Sequence, residues 1–230
     1  AAHRVWGNNI AILTGDFLLA RASAISAGLG SDIVAVHAQT FERLCLGQLN
    51  ETVGPTESDD PFAHYIDVLS NKTGSLIATA GVLGAMISGA PAQVVETMRE
   101  YGEAVGVAFQ LADDVIDIRA TSEQSGKTPG TDLREGVPTM PPLLLRSHVS
   151  EHPDDTASAT LLSSLDGDLS SDERLAEVVS HLAKHNVVDE TEKLAESYAD
   201  RALALVEALP AGAARDALTA FTVSLVRRRA

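Results

Sequence analysis

The sequence has little positive charge. Its 17 lysine and arginine residues stand against 32 aspartate and glutamate residues, so the formal net charge of the 230-residue chain is −15 at pH 7. A surface of this charge repels the phosphate backbone of nucleic acids, and it argues against a polybasic attachment to anionic membranes. We therefore expect no nucleic-acid partner, and solubility explains most of the acidic residues.

Cysteine and long hydrophobic runs are also scarce. Cys45 is the only cysteine, which excludes a disulfide framework and indicates a reducing, cytoplasmic location. Because Cys45 lies between two leucines, we expect a buried thiol. The longest nearly uncharged apolar stretch, residues 75–90, is shorter than the roughly 20 residues that a transmembrane helix needs. It predicts a core helix, and we expect no transmembrane segment.

Aromatic residues make up only 4% of the chain, and no segment shows the two-residue alternation of a β-strand. Alanine, leucine and valine are abundant, and apolar residues recur at helical spacing. We therefore expect a single all-α domain over residues 1–230, with a polar loop at 120–138. The predicted helices cover residues 5–29, 31–53, 62–88, 91–119, 139–148, 157–165, 172–185, 187–208 and 211–228.

One predicted helix carries a row of polar and acidic residues on a single face. At about 100° per residue, Gly106, Gln110, Asp113 and Asp117 fall within roughly 60° of one another, and Asp114 lies at the edge of the row. We call Asp113, Asp114 and Asp117 the acidic seam. A solvated helix face would be broader and would include lysine, glutamate or serine. The residues that flank the seam are instead Val107, Phe109, Leu111, Ile116 and Ile118.

The carboxylates of the acidic seam repel one another. Two charges about 6 Å apart at an effective dielectric constant near 20 cost roughly 3 kcal/mol, so the seam requires a cation or a raised pKa. No lysine or arginine occurs between Arg99 and Arg119. Hard oxygen ligands with room for water and phosphate suit Mg²⁺. The alternative is that basic residues from other helices neutralise the seam.

A loop rich in glycine follows the acidic seam. The segment from Gly126 to Gly136 contains Lys127 and Arg134, and it is long enough to fold over the seam. If a metal ion binds there, a lysine beside it indicates phosphate oxygens that bridge the two cations. Taken alone, this pattern is equally typical of a simple turn.

Lys72 and Thr73 lie in an otherwise apolar helix. Burial of Lys72 would be costly without an anionic partner. The glycines that follow, Gly81 and Gly84, either allow close approach of a neighbouring helix or leave room for a long apolar ligand.

These segments together resemble the polyprenyl synthetase family of trans-isoprenyl diphosphate synthases. The second aspartate-rich motif of that family, G-x-x-x-Q-x-x-D-D-x-x-D, matches Gly106 through Asp117 at every fixed position. The family's K-T pair matches Lys72 and Thr73, and its G-K-x-x-G-x-D-L matches Gly126 through Leu133. The spacing of Gln48 and Glu51 resembles a Q-x-x-D/E pair that faces the same cavity.

The resemblance implies an isoprenoid synthase-type helical bundle around a central cavity, a homodimer, and a magnesium-dependent active site. It implies that Asp113 and Asp117 bind Mg²⁺ directly, and that Asp114 and Asp132 bind it directly or through water. The residues that it assigns to the diphosphate groups of the substrates, or to the leaving group, are Lys72, Thr73, Gln48, Gln110 and Lys127.

The implied reaction joins isopentenyl diphosphate to an allylic prenyl diphosphate and lengthens a polyprenyl chain, of the kind used for quinone side chains. Two alternatives remain open from the sequence: a class I terpene cyclase of the same architecture, and a non-catalytic fragment or subunit of a prenyl synthase. The family's first D-D-x-x-D motif and the basic residues near it are absent. We therefore expect this chain to be the carboxy-terminal two-thirds of an enzyme and to be inactive alone.

Overall fold

The computed structural model describes residues 2–119 and 129–226. This part of the chain is all-α and contains no β-strand, which confirms the predicted fold class. A π-helical turn, Ser70–Gly74, joins the fourth helix to the fifth. The helices are α1 (Ala2–Trp6), α2 (Asn8–Ala27), α3 (Ser31–Val53), α4 (Pro61–Leu69), α5 (Ser75–Ile87), α6 (Ala92–Arg119), α7 (Thr131–Glu135), α8 (Met140–Glu151), α9 (Thr156–Leu165), α10 (Asp172–Leu182), α11 (Asn186–Glu207) and α12 (Ala213–Val226).

The first of two compact units, Ala1–Arg43, contains α2. Large apolar side chains of this helix, among them Ile10, Leu13 and Phe17, are more than half exposed. Among the described residues, α2 is the one helix whose length and composition would allow it to cross a membrane, with a mean hydropathy of 1.4. Core helices of soluble proteins meet the same criteria, so this property does not by itself assign a membrane span.

Helix α6 is the central element of the second unit, Leu44–Ala230. It has 28 residues and is therefore roughly 42 Å long at 1.5 Å per residue. It packs most extensively against α11 and α5. Each of three buried hydrophobic clusters includes residues of α6, for example Val105, Leu111 and Ile118. The acidic seam thus lies on a helix whose buried residues are mostly apolar.

Two glycines let the backbone of α6 touch its neighbours directly. A Cβ atom at Gly102 would lie 2.3 Å from the Cα atom of Ala78 in α5. A Cβ atom at Gly106 would lie 2.4 Å from the Cα atom of Gly74 in the π-helical turn. Both neighbours are backbone atoms, so no flexible side chain is available to move aside.

The two glycines of α5 differ in their surroundings. A Cβ atom at Gly81 would lie 2.8 Å from Cε of Met98, so close packing explains this residue. Gly84 has no atom within 4 Å of such a Cβ, and it lines an open cavity of about 930 Å³.

The structure differs from the sequence prediction at four places. The helix predicted over 5–29 is divided at Gly7, whose φ angle of 82° separates α1 from α2. The helix predicted over 62–88 is interrupted by the π-helical turn, because one extra residue is inserted into the helical hydrogen-bond pattern. The predicted loop contains α7, and its residues 120–128, including Lys127, lie outside the described residues. The predicted burial of Cys45 is wrong, because its side chain is exposed. The face of α3 that packs on the π-helical turn contains Gly47, and Cys45 lies about 200° around the helix from Gly47.

Gly102→Ala is expected to lower the free energy of unfolding by about 1–3 kcal/mol, because the added methyl group would overlap the backbone of α5. Gly84→Ala is the matched control. It adds the same group to a helix beside open space, and it is expected to raise stability by up to about 1 kcal/mol. Urea unfolding followed by circular dichroism measures both variants. Equal effects would contradict the backbone contact between α5 and α6.

Candidate active site

The best-defined carboxylate of the acidic seam is Asp114, which is only 5% exposed. Its Oδ2 atom accepts a 2.8 Å hydrogen bond from the Tyr65 hydroxyl in α4. The same oxygen accepts a 3.0 Å hydrogen bond from the backbone N–H of Met140 at the start of α8. Asp114 therefore ties three helices together through two neutral donors.

Burial dominates the protonation of Asp114. Removal from water raises its pKa to about 7, against the opposing effect of the hydrogen bonds from Met140 and Tyr65. The charges of Asp132 and Asp113 contribute smaller parts of this increase. The pKa of the Tyr65 hydroxyl is also raised, first by burial and then by the charge of Asp114. The hydroxyl therefore stays protonated and remains a hydrogen-bond donor.

Asp113 and Asp117 lie on the more accessible side of α6, where both are half-buried. The chain returns to this side after the loop, because the backbone N–H of Gly130 donates a 2.8 Å hydrogen bond to the backbone oxygen of Asp117. The backbone N–H of Asp132 lies 3.4 Å from Oδ2 of Asp117. Asp132 is itself half-buried at the start of α7. The structure thus brings the four predicted metal ligands into one region.

Gly130 makes this return possible. Its φ angle of 74° is in the left-handed region that favours glycine. A Cβ atom at this position would lie 2.4 Å from a methyl carbon of Val179 in α10. The backbone angle of Gly130 and its contact with Val179 together fix the point at which the chain enters α7, which carries Asp132.

The arginines that flank the acidic seam in the sequence bind other carboxylates. Arg119, at the end of α6, forms ion pairs with Asp189 and Glu192 of α11. Arg134 of α7 forms an ion pair with Asp172 at the start of α10. These contacts argue against the alternative in which these two arginines neutralise the seam.

The donor set fits a magnesium–diphosphate complex better than a closed metal site. Among residues 2–119 and 129–226, no group of three histidine, cysteine, aspartate or glutamate side chains is arranged to hold a metal ion alone. Mg²⁺ keeps several waters and usually takes one or two protein carboxylates together with substrate phosphates. Asp113 and Asp117 are of the right chemical type for this role and are partly accessible.

Lys72 and Thr73 lie in the π-helical turn, both half-buried. The Lys72 ammonium group contacts both carboxylate oxygens of Glu51, at 2.9 and 2.7 Å. Gln48, which is exposed, donates a 2.9 Å hydrogen bond to Oε2 of Glu51. Gln110 is half-buried on α6, one turn before the seam.

Two contacting residues were missed by the sequence prediction. Tyr65 connects the acidic seam with the Glu51–Lys72 pair, because its hydroxyl donates a hydrogen bond to Asp114 and its side chain lines a small cavity together with Glu51. Glu103 of α6 accepts a 2.5 Å hydrogen bond from the Ser70 hydroxyl at the start of the π-helical turn. A glutamate within an otherwise apolar part of α6 was the available signal for Glu103, whereas no local pattern singles out Tyr65.

The raised pKa of Asp114 predicts a specific pH dependence of stability. An aspartate whose pKa is about 7 when folded and about 3.8 when unfolded contributes stability that is complete below the unfolded value and is lost as pH rises through the folded value. From pH 5 to 7 the wild-type protein should therefore lose about 2–3 kcal/mol relative to Asp114→Asn. The asparagine stays neutral, and its amide oxygen still accepts both hydrogen bonds.

Urea unfolding of both proteins in EDTA at pH 5, 6, 7 and 8 measures this difference. Parallel stability curves for the two proteins would show that Asp114 titrates as an ordinary exposed carboxylate, against the burial seen here.

Known proteins resemble this chain over nearly its whole length. The nonaprenyl diphosphate synthase of Mycobacterium tuberculosis is 43% identical over 227 residues, which cover 97% of this chain and 66% of that protein. Heptaprenyl diphosphate synthase component 2 of Geobacillus stearothermophilus is 32% identical over 97% of this chain and 68% of its own length. The chain thus spans about two-thirds of the length of these relatives.

Solved structures give the same result for the fold. Geranylgeranyl pyrophosphate synthase from Corynebacterium glutamicum, crystallised with calcium and isoprenyl diphosphate, superposes with a TM-score of 0.84 at 41% identity, over 99% of this chain and 69% of that one. A polyprenyl synthase from Caulobacter crescentus was also crystallised with calcium and isoprenyl diphosphate. It superposes with a TM-score of 0.88 at 30% identity, over 100% of this chain and 69% of that one. These likenesses confirm the isoprenoid synthase-type fold.

The sequence profile of the polyprenyl synthetase family matches residues 1–182. This segment contains every residue of the candidate active site, from Gln48 to Asp132. The chain therefore belongs to the polyprenyl synthetase family.

Proposed function

We propose that the protein is a magnesium-dependent trans-polyprenyl diphosphate synthase that condenses isopentenyl diphosphate with an allylic prenyl diphosphate. The observation that carries this proposal is the convergence of Asp113, Asp117 and Asp132 beside the buried Asp114. Such a row of carboxylates is suited to a divalent cation that carries a diphosphate group. The names of the relatives, which include nonaprenyl and heptaprenyl diphosphate synthases, support a long polyprenyl product. We propose that this product supplies quinone side chains.

The metal ligands are assigned by accessibility. Asp113 and Asp117 are half-buried and would contact Mg²⁺ directly, with Asp132 beside them. Asp114 is enclosed and already accepts hydrogen bonds from Tyr65 and Met140, so the indirect route through water suits it better. When bound, Mg²⁺ neutralises charge on the diphosphate leaving group. The calcium and isoprenyl diphosphate named in two related crystal structures support a site of this type.

The polar residues around the seam would hold the diphosphate groups. Lys72 and Lys127 supply positive charge, and Thr73, Gln110 and Gln48 supply neutral hydrogen-bond donors. Donors that are already in place when charge develops on the leaving oxygen stabilise the transition state without reorganisation. The role of Lys127 rests on the sequence motif, because this residue lies outside the described part of the chain.

The reaction that these groups support is a head-to-tail condensation. The C–O bond of the allylic diphosphate breaks, and its electron pair leaves with the diphosphate. The double bond of isopentenyl diphosphate then forms a carbon–carbon bond to the allylic carbon, and loss of a proton gives a longer allylic diphosphate. An apolar space between helices would house the growing chain.

We further propose a cytoplasmic homodimer without a membrane span or a nucleic-acid partner. The exposed apolar residues of α2, such as Leu13, Phe17 and Leu18, support a second copy that covers this helix. If a second copy covers α2, the high mean hydropathy of this helix is compatible with the strongly negative net charge of −15 of the chain.

In a chain extended upstream of Ala1 to include the family's first D-D-x-x-D motif, Asp113→Ala is expected to lower prenyl transfer by about a hundredfold or more, because a direct ligand of the metal–diphosphate complex is lost. The helical circular dichroism signal should be unchanged, since Asp113 is half-buried on the accessible side of α6. The assay follows radiolabelled isopentenyl diphosphate with farnesyl diphosphate and Mg²⁺. The matched control is Asp200→Ala, which removes an exposed aspartate from α11 and should retain activity.

Two outcomes would count against the proposal. Unchanged turnover in the Asp113→Ala variant would remove the metal role from the acidic seam. A cyclised hydrocarbon as the wild-type product would assign the protein to the terpene cyclases.

A further inference from the structure

Glu51 forms an ion pair with Lys72, the lysine to which the proposed function assigns diphosphate binding. Its two carboxylate oxygens lie 2.9 and 2.7 Å from the Lys72 ammonium nitrogen. An ammonium group has three N–H donors, and that of Lys72 donates to both carboxylate oxygens of Glu51. A diphosphate oxygen that approaches Lys72 therefore meets donors already directed at another anion.

The position of Glu51 is fixed by its surroundings. Gln48, one turn earlier on α3, donates a 2.9 Å hydrogen bond to Oε2 of Glu51. The backbone of α3 reaches the π-helical turn because of Gly47, where a Cβ atom would lie 2.9 Å from Cβ of Asn71 and 3.0 Å from the backbone nitrogen of Lys72. A larger residue at position 47 would push α3 away and separate the pair.

The ion pair is only partly enclosed. The side chains of Lys72 and Glu51 are 34% and 22% exposed. A pair in this environment is weaker than a buried one, because water screens it. It is therefore strong enough to orient Lys72 but open to displacement by an anion of higher charge.

Glu51 also lies close to the acidic seam. It lines a small cavity together with Tyr65 and Pro138, and Tyr65 donates a hydrogen bond to Asp114. Its charge acts on Tyr65 along with the charges of Asp114 and Asp132. A diphosphate held between Lys72 and the seam would thus be repelled by the carboxylate of Glu51.

We propose that Glu51 competes with diphosphate for Lys72, holding this lysine while the site is empty and recapturing it when pyrophosphate leaves. This inference rests on the proposed function, because it requires Lys72 to bind diphosphate. Glu51 acts through Lys72 and is a positioning residue. The competition weakens binding of the pyrophosphate product and so favours its release, a step that often limits turnover in enzymes.

Binding of inorganic pyrophosphate in the presence of Mg²⁺ tests this competition. Isothermal titration calorimetry of Glu51→Gln is expected to show about tenfold tighter binding than wild type, because the competing charge is removed while the side-chain shape is kept. Glu100→Gln is the matched control: it removes one negative charge from an exposed position on α6 and should leave the affinity unchanged. Glu51→Asp retains the charge on a side chain one methylene shorter and should give a smaller gain.

A Lys72→Met variant separates this inference from the proposed function. Wild-type binding that is lost in Lys72→Met, combined with unchanged or weaker binding in Glu51→Gln and in Glu51→Asp, would overturn the competition alone. Pyrophosphate binding that does not depend on Lys72, or no binding by any variant, would overturn the proposed diphosphate site together with this inference. Circular dichroism spectra that match wild type establish that each variant is folded.

Discussion

The contact between the backbones of Gly106 and Gly74 determines the geometry of the whole site. With no Cβ atom on either residue, α6 and the π-helical turn approach within a distance that any other residue at position 106 would prevent. The acidic seam follows Gly106 on α6, and Lys72 precedes Gly74 in the π-helical turn. The hydrogen bond from Ser70 to Glu103 of α6 ties the turn to the same helix. Since π-helical turns often occur at functional sites, the irregularity fits its position beside the proposed diphosphate.

The acidic seam combines two kinds of carboxylate. Asp114 is enclosed and held by neutral donors from α4 and α8, so it connects helices. Its raised pKa of about 7 lowers the fraction that is charged near neutral pH. Asp113 and Asp117 are half-buried on the more accessible side of the helix, where we propose that they bind a cation. This division lowers the mutual repulsion that three adjacent negative charges would otherwise create. It also explains how a helix that runs through three hydrophobic clusters tolerates three aspartates.

Features that depend on local sequence were predictable, and features that depend on distant contacts were not. The prediction of 31–53 matches α3 and that of 91–119 differs from α6 by one residue, because helical periodicity reports both. The motif placed Asp113, Asp114, Asp117 and Asp132 in one site, and the structure brings them into one region. Periodicity does not detect one inserted residue, so the π-helical turn was missed. The Tyr65–Asp114 and Glu51–Lys72 contacts join residues 49 and 21 positions apart, and no pattern within one helix encodes them.

We infer that the acidic seam holds a divalent cation together with diphosphate. Anomalous diffraction from crystals grown with Mn²⁺ and pyrophosphate tests it most directly, because Mn²⁺ replaces Mg²⁺ at oxygen sites and is located by its own signal. The account predicts an anomalous peak within ligand distance of Asp113 and Asp117, with pyrophosphate between that peak and Lys72. Crystals in which these aspartates instead pair with lysine or arginine side chains, with no peak beside them, would contradict it.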